Sequence, residues 1–278
     1  MFLHILNWLL AILSGIGGAA YYLITGGSYS GSDVLKCVGI GLLIFLIVWI
    51  CVCLLIWFTF MIIALTINYK KDYDKVSKFY NGVFKAWHRY VCAFGNVRIH
   101  TKGLELLPKD QKYLTVCNHR SNFDSFIQTV ALGKEDVSFI SKEENFKIPF
   151  ARNYMKRALY LSLDRRNVRN GLKTIMKAIS YIRDGVINIG VFPEGTRSKT
   201  GELGSFKPGC LKVAEQAECP IVVCTLEGSE KIRDNMFWKR TDVYFEVIKV
   251  ITPKDFELIS TVDVSDEIRK IMLEKLGK

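Results

Sequence analysis

His119 and Asp124 stand five positions apart in the stretch CNHRSNFDSF, in a chain with only four histidines. On a straight helix, positions five apart differ by about 140° and do not meet. At a strand-to-helix corner they do. The apolar-leaning run YLTV reads as a strand that His119 ends. Asp124 opens the next helix, where a carboxylate suits the positive end of the helix dipole. Asp124 then accepts a hydrogen bond from one imidazole nitrogen, which fixes the tautomer and leaves the other nitrogen as a base. This is the histidine–aspartate half of a catalytic triad, with no serine supplied by the protein. Such a dyad removes a proton from a substrate hydroxyl and makes that hydroxyl the nucleophile. A lone His-x4-Asp is more often a satisfied surface histidine beside a helix start, so the pair needs company.

Two further clusters supply it. In VFPEGTRSKTGELGSFKPG, residues 191–209, Pro193 ends a strand and Gly195 lets the backbone turn tightly against a ligand. Arg197 offers a planar fork of donors suited to a phosphate, and Lys207 adds a point charge. Pro208 reads as the first residue of a helix whose free N–H groups favour anions. The bland reading is a turn with solvated charges. The third cluster, residues 141–167, is dense in Lys and Arg around a proline bend. Lys142 and Arg165 are its possible phosphate ligands, against the plainer reading of a solvated basic face. Cys117 and Ser121 flank the histidine but are poor nucleophile candidates. Cys117 falls in an apolar strand where a buried thiol is inert, and Ser121 suits a hydrogen bond to the corner backbone.

The elements that must position these groups follow from periodicity. Strands are expected at 97–101, 113–117, 137–141, 160–163, 187–192, 221–226 and 243–251. Helices are expected at 73–94, 124–132, 149–158, 168–184, 208–217 and 266–276. The alternation implies an α/β domain with a mixed, largely parallel sheet flanked by helices. In such sheets ligands bind beyond the carboxyl ends of the strands, where all three clusters fall.

Charge patterning divides the chain. Residues 1–68 carry only Asp33 and Lys36, so the net charge of +11 lies in the remainder. The uncharged run 37–69 is long enough to cross a bilayer, and so is 1–27. Ala11, Gly15 and Ala19 fall at a four-residue spacing that permits close helix packing, and TGGSYSGSD between the runs reads as a turn. The expected organisation is an N-terminal two-helix membrane hairpin, residues 1–69, and an α/β domain, residues 70–278. The hairpin either spans or dips into one leaflet, and a cleaved signal peptide fits less well because no basic region precedes the first run. Lys70, Lys71, Lys75 and Lys78 follow the second run, which places the larger domain on the cytoplasmic side. Eight scattered cysteines without zinc-ligand spacing read as reduced, mostly buried thiols, with no metal site and no disulfide framework. The basic balance suits an anionic membrane surface, and no recognition module or basic–aromatic repeat points to nucleic acid.

In this order NHRSNFD, KEENFKIP…LYLSLDR, FPEGTRS…FKPG and CPIVVCTLEGS resemble the four-block signature of the glycerolipid acyltransferases, most of all the 1-acylglycerol-3-phosphate acyltransferases. The resemblance covers about residues 75–250. It implies an acyl transfer from acyl-CoA or acyl-carrier protein to a lysophospholipid hydroxyl, with membrane lipids and lysophosphatidic acid as partners and no cofactor. It implies His119 as general base and Asp124 as its orienter. Glu194, Gly195, Thr196 and Arg197 would bind the glycerol phosphate, with Lys142, Arg165 and Lys207 near it. The sequence departs from the family at Ala151 and Ala158, where glycine is usual, and at Val223, where a second proline is usual. The first departure bears on the acceptor loop, and neither touches the dyad. The alternatives are the same chemistry on glycerol 3-phosphate or another lysophospholipid, a lipid-to-lipid transacylation, or a non-catalytic lipid-binding protein.

Overall fold

The computed structural model describes residues 2–26, 31–198, 200–236 and 238–277. It divides into two units, residues 1–66 and 67–278.

The first unit is two helices, α1 (Phe2–Gly26) and α2 (Gly31–Leu65). Both are long and apolar enough to cross a membrane. At 1.5 Å per residue, α2 is about 52 Å long. Most large apolar side chains of the unit are exposed. The small-residue spacing does what it implies. A Cβ added to Gly41 would lie 3.0 Å from the Gly15 carbonyl and 3.1 Å from Ala19, so these positions allow the backbones to approach. The expected turn falls largely on residues 27–30, outside the described residues.

The second unit is built on a seven-stranded sheet. It contains α3 (Lys78–Phe94), β1 (Val97–Lys102), β2 (Leu114–Cys117), α4 (Asp124–Ala131), β3 (Val137–Lys142), α5 (Ala151–Arg157), β4 (Leu161–Leu163) and α6 (Val168–Arg183). Next come β5 (Asn188–Val191), α7 (Lys212–Ala217), β6 (Ile221–Glu227), α8 (Ile232–Asn235), β7 (Thr241–Ile251), α9 (Pro253–Phe256) and α10 (Thr261–Lys275). The strand order is β1-β7-β6-β2-β5-β3-β4. Every pairing is parallel except β6 with β7. Parallel strands need both faces covered, and β2 and β5 are buried throughout. On one face Leu114, Val116, Ile189, Val191, Ile221 and Val223 join Ile179, Ile182, Val213, Ile268 and Met272 in one core. On the other, α3 and α4 contact β1, and α4 also contacts β7. Gly190 admits the Phe139 ring, since a Cβ there would come 2.5 Å from it.

The expected strands all form, and the helix boundaries move. The amphipathic helix expected from 73 begins at Lys78. Residues 67–77 form an irregular strap with a turn at Asn68–Lys71 instead, held by α5 and α6. Asn153 donates to the Ile67 carbonyl, Arg157 to the Lys75 carbonyl and the Tyr181 hydroxyl to the Tyr73 carbonyl. Lys156 pairs with Asp72 at 2.6 Å and Lys177 with Asp74 at 2.7 Å. The last helix starts at Thr261 rather than 266, because the Ser260 hydroxyl caps it by accepting from the Asp263 N–H. The helix expected at 208–217 is a three-residue 3-10 turn at Pro208–Cys210 followed by the six residues of α7. The N-terminal anion site expected at Pro208 is therefore corrected to a short turn without a helix dipole behind it.

Candidate active site

β2 pairs with β5 on one side and β6 on the other. The loops after these three strands meet at one place, although they are far apart in sequence. β2 ends at Cys117, the expected end of the strand, and His119 lies two residues beyond it. Asn118 takes over from the ladder. Its amide donates to the Leu226 carbonyl at 2.8 Å and accepts from the Leu226 N–H at 2.7 Å. His119 lies just beyond this clamp, and α4 begins at Asp124 as expected.

His119 Nδ1 lies 2.7 Å from Asp124 Oδ2. The same oxygen accepts the N–H of Arg120 at 2.6 Å and of Ser121 at 2.8 Å. Oδ1 accepts the Ser229 hydroxyl at 2.6 Å. Asp124 is fully buried. An ionised carboxylate can accept all four donors, and their charge-assisted bonds offset its burial. Nδ1 is the nitrogen turned to the carboxylate, which leaves Nε2 free of it. The imidazole, 22% exposed, stacks on Phe192 with centroids 4.2 Å apart. Phe192 stacks in turn on Phe139. Ser121 behaves as its type suggests, accepting the Phe123 N–H at the corner.

The loop after β5 is tied to the same corner. Glu194 is 6% exposed, and its two oxygens accept the His119 N–H at 2.7 Å and the Gly204 N–H at 2.9 Å. The Ser198 N–H donates to the His119 carbonyl at 2.9 Å. The backbone of His119 is thus held through both of its polar groups by the 194–204 segment. Glu194 reaches backbone here, whereas the resemblance places it on the acceptor. Gly195 adopts φ 66°, and the Lys207 side chain lies across it. Thr196 and Arg197 are exposed on the same loop, and Arg197 makes no ion pair among the described residues.

A cavity of about 430 Å³ opens beside Phe192, lined by Gly195, Lys207 and Arg165 together with apolar Ile140, Leu163 and Ile175. Arg165 also lines a neighbouring, more polar cavity of about 310 Å³ with Lys142, Lys147 and Arg166 and with the carboxylates of Glu143, Glu144 and Asp164. The structure therefore gathers Gly195, Lys207 and Arg165 around one space and Lys142 with Arg165 around the next. Thr196 and Arg197 stay outside both linings. Burial pushes the Cys117 thiol well above its ordinary range, which removes it as a nucleophile. Spacing gave no sign of Ser229 as a partner of Asp124, 105 residues away, or of Asn118 and Phe192. All three lay inside quoted blocks, Asn118 in NHRSNFD, Phe192 in FPEGTRS and Ser229 in CPIVVCTLEGS, but the blocks gave them no role.

The acyltransferase family model matches residues 98–227. A probable 1-acyl-sn-glycerol-3-phosphate acyltransferase of Mycoplasma genitalium is 30% identical over 205 residues, covering 68% of this chain and 75% of that protein. This chain belongs to the glycerolipid acyltransferase family. A chloroplast 1-acyl-sn-glycerol-3-phosphate acyltransferase of Arabidopsis thaliana is 35% identical over 156 residues, covering 56% of this acyltransferase and 43% of the plant protein. The crystal structure of a 1-acyl-sn-glycerophosphate acyltransferase from Thermotoga maritima superimposes with a TM-score of 0.54. It is 22% identical and covers 70% of this chain and 81% of that one, a likeness of fold.

Proposed function

We propose that this acyltransferase moves a fatty acyl group from a thioester donor, acyl-CoA or acyl-carrier protein, to the sn-2 hydroxyl of 1-acylglycerol 3-phosphate, giving phosphatidic acid. The observation that carries the reading is the 2.7 Å His119–Asp124 hydrogen bond, made through Nδ1 within a buried network that does not engage Nε2. The names of the relatives at 30% and 35% identity favour this acceptor.

His119 Nε2 accepts the proton of the acceptor hydroxyl as its oxygen attacks the thioester carbonyl. Asp124 stabilises the imidazolium that forms. Collapse of the tetrahedral intermediate expels the thiolate, and His119 returns the proton to it. No acyl-enzyme intervenes, so no serine or cysteine nucleophile is required. The N–H groups of Arg120 and Ser121 are engaged by Asp124, so the oxyanion takes its donors from elsewhere. Arg197, Lys207, Arg165 and Lys142 supply positive charge for the acceptor phosphate. Gly195 and Thr196 bring backbone and hydroxyl to it, and Glu194 acts as a positioning residue that holds the His119 backbone. Residues 1–69 anchor the protein in the membrane, and residues 70–278 form the catalytic domain at its cytoplasmic face.

Release of free thiol from acyl-CoA, measured with and without lysophosphatidic acid, tests the reading. Release that depends on lysophosphatidic acid is the expected result. Release only with glycerol 3-phosphate or another lysophospholipid moves the acceptor, and none with any acceptor leaves a lipid-binding protein.

A further inference from the structure

α6 buries Ala178, Ile179 and Ile182 against the sheet, as an amphipathic helix should. Its outer face is unusual. Val168, Leu172 and Met176 recur every fourth position and are 88%, 59% and 53% exposed. They make an apolar line about 12 Å long. Arg169, Lys173 and Lys177 run beside it, each one residue further on. The shallow surface groove along this face has no carboxylate in its lining. Arg165 and Arg166 extend the cationic edge past the start of the helix. An ordinary solvated helix face carries charge without a continuous apolar stripe. An apolar stripe bordered by Lys and Arg is the pattern of a helix lying in a lipid headgroup layer, with long cationic side chains reaching the phosphates.

We propose that the outer face of α6 is a second lipid-contact surface, seated on an anionic phospholipid layer. The proposal rests on the membrane reading given above. Two observations favour lipid over a protein partner. The strap that follows the apolar helix in sequence is clamped to α5 and α6, with Asp74 on Lys177 at 2.7 Å and the Tyr181 hydroxyl on the Tyr73 carbonyl at 3.1 Å. Chain continuity therefore ties α6 to the residues that leave the membrane segment. The inner face of the same helix contributes Gly171 and Ile175 to the 430 Å³ cavity. A lipid acceptor leaving the bilayer beside α6 has that cavity directly behind the helix.

The test uses the full chain in vesicles, with single cysteines carrying a fluorophore at Leu172, Met176, Leu43 of α2, and exposed Lys109 between β1 and β2. The signal of the wild-type chain labelled at its eight native cysteines is subtracted. Quenching by lipids with a shallow spin label is measured with and without an anionic phospholipid. The expected result is quenching at positions 172 and 176 several-fold above that at 109, strongest with the anionic lipid. Leu172→Glu/Met176→Glu should lower transfer several-fold in vesicles and leave it unchanged on a micellar acceptor. Quenching at position 43 but not at 172 or 176 overturns the α6 surface and leaves the membrane reading standing. Quenching at none of the three overturns both. Shielding of 172 and 176 only when an acyl-carrier protein is added overturns lipid as the occupant in favour of a protein dock.

Discussion

His119 and His88 are both ringed by aromatic side chains, yet they sit in opposite electrostatic settings. His119 follows β2, stacks on Phe192, and has one nitrogen bound to a buried carboxylate while the ring keeps 22% exposure. His88, in α3, lies between Phe84 and Phe126 at 4.2 Å from each, and is fully buried. Neither of its nitrogens has a hydrogen-bond partner among the described residues. Burial holds the His88 imidazole down at about 3, so it stays neutral at working pH. Aromatic packing alone thus makes a histidine inert. What sets His119 apart is the carboxylate on Nδ1 and a ring that stays partly exposed, the setting the proposed base requires.

The largest expected break is His119→Ala. A general base contributes about 10²–10⁴-fold in rate, and kcat should fall by that much with the fold intact. Near wild-type transfer from purified, folded variant would remove the mechanism. Asp124→Asn keeps the shape and an acceptor oxygen for the corner but removes the charge that stabilises the imidazolium. A kcat loss of about 10²-fold is expected, short of losing the base itself. Equal losses in both variants would mean that Asp124 acts by holding the corner together rather than by its charge.

Arg197→Ala probes the acceptor side of the same corner. Removing one charged hydrogen-bond donor costs about 1.5–3 kcal/mol, or roughly tenfold to a hundredfold, and should appear mainly in the acceptor KM. An unchanged KM would take Arg197 off the phosphate. The smallest effect is at the other histidine and concerns stability. Because the folded pKa of His88 lies below its unfolded value near 6.5, its neutral form supports the fold above that pH, and stability is lost as pH falls towards 3. At pH 5 the loss is about 2 kcal/mol. His88→Phe should abolish it, so its advantage in urea midpoint over wild type should be larger at pH 5 than at pH 7, with transfer at pH 7 unchanged. An advantage independent of pH would show that His88 is not the titrating group.

The strand pattern and the corner were legible because they are local. A buried parallel strand reads as a short apolar run, and His119 and Asp124 lie within one turn of chain. The helix starts were less legible. Residues 73–77 carry helical periodicity, but the carbonyls of Tyr73 and Lys75 are held by Tyr181 and Arg157, more than eighty residues further on. Glu194 reads as a ligand beside Arg197, yet its oxygens are turned to the His119 and Gly204 backbone.

Sequence alone determined the residue types that can do acyl-transfer chemistry, their order, the apolar helices and the alternating α/β plan. These depend on side-chain chemistry and on periods of two and 3.6 residues, which operate along the chain. Tertiary structure decided which loops meet. The pairing of β2 with both β5 and β6 brings the Glu194 loop to the His119 backbone and Ser229 to Asp124, and their convergence fixes the orientation of the histidine proposed as the base. Strand order is a property of packing across the sheet, and no spacing within the chain encodes it.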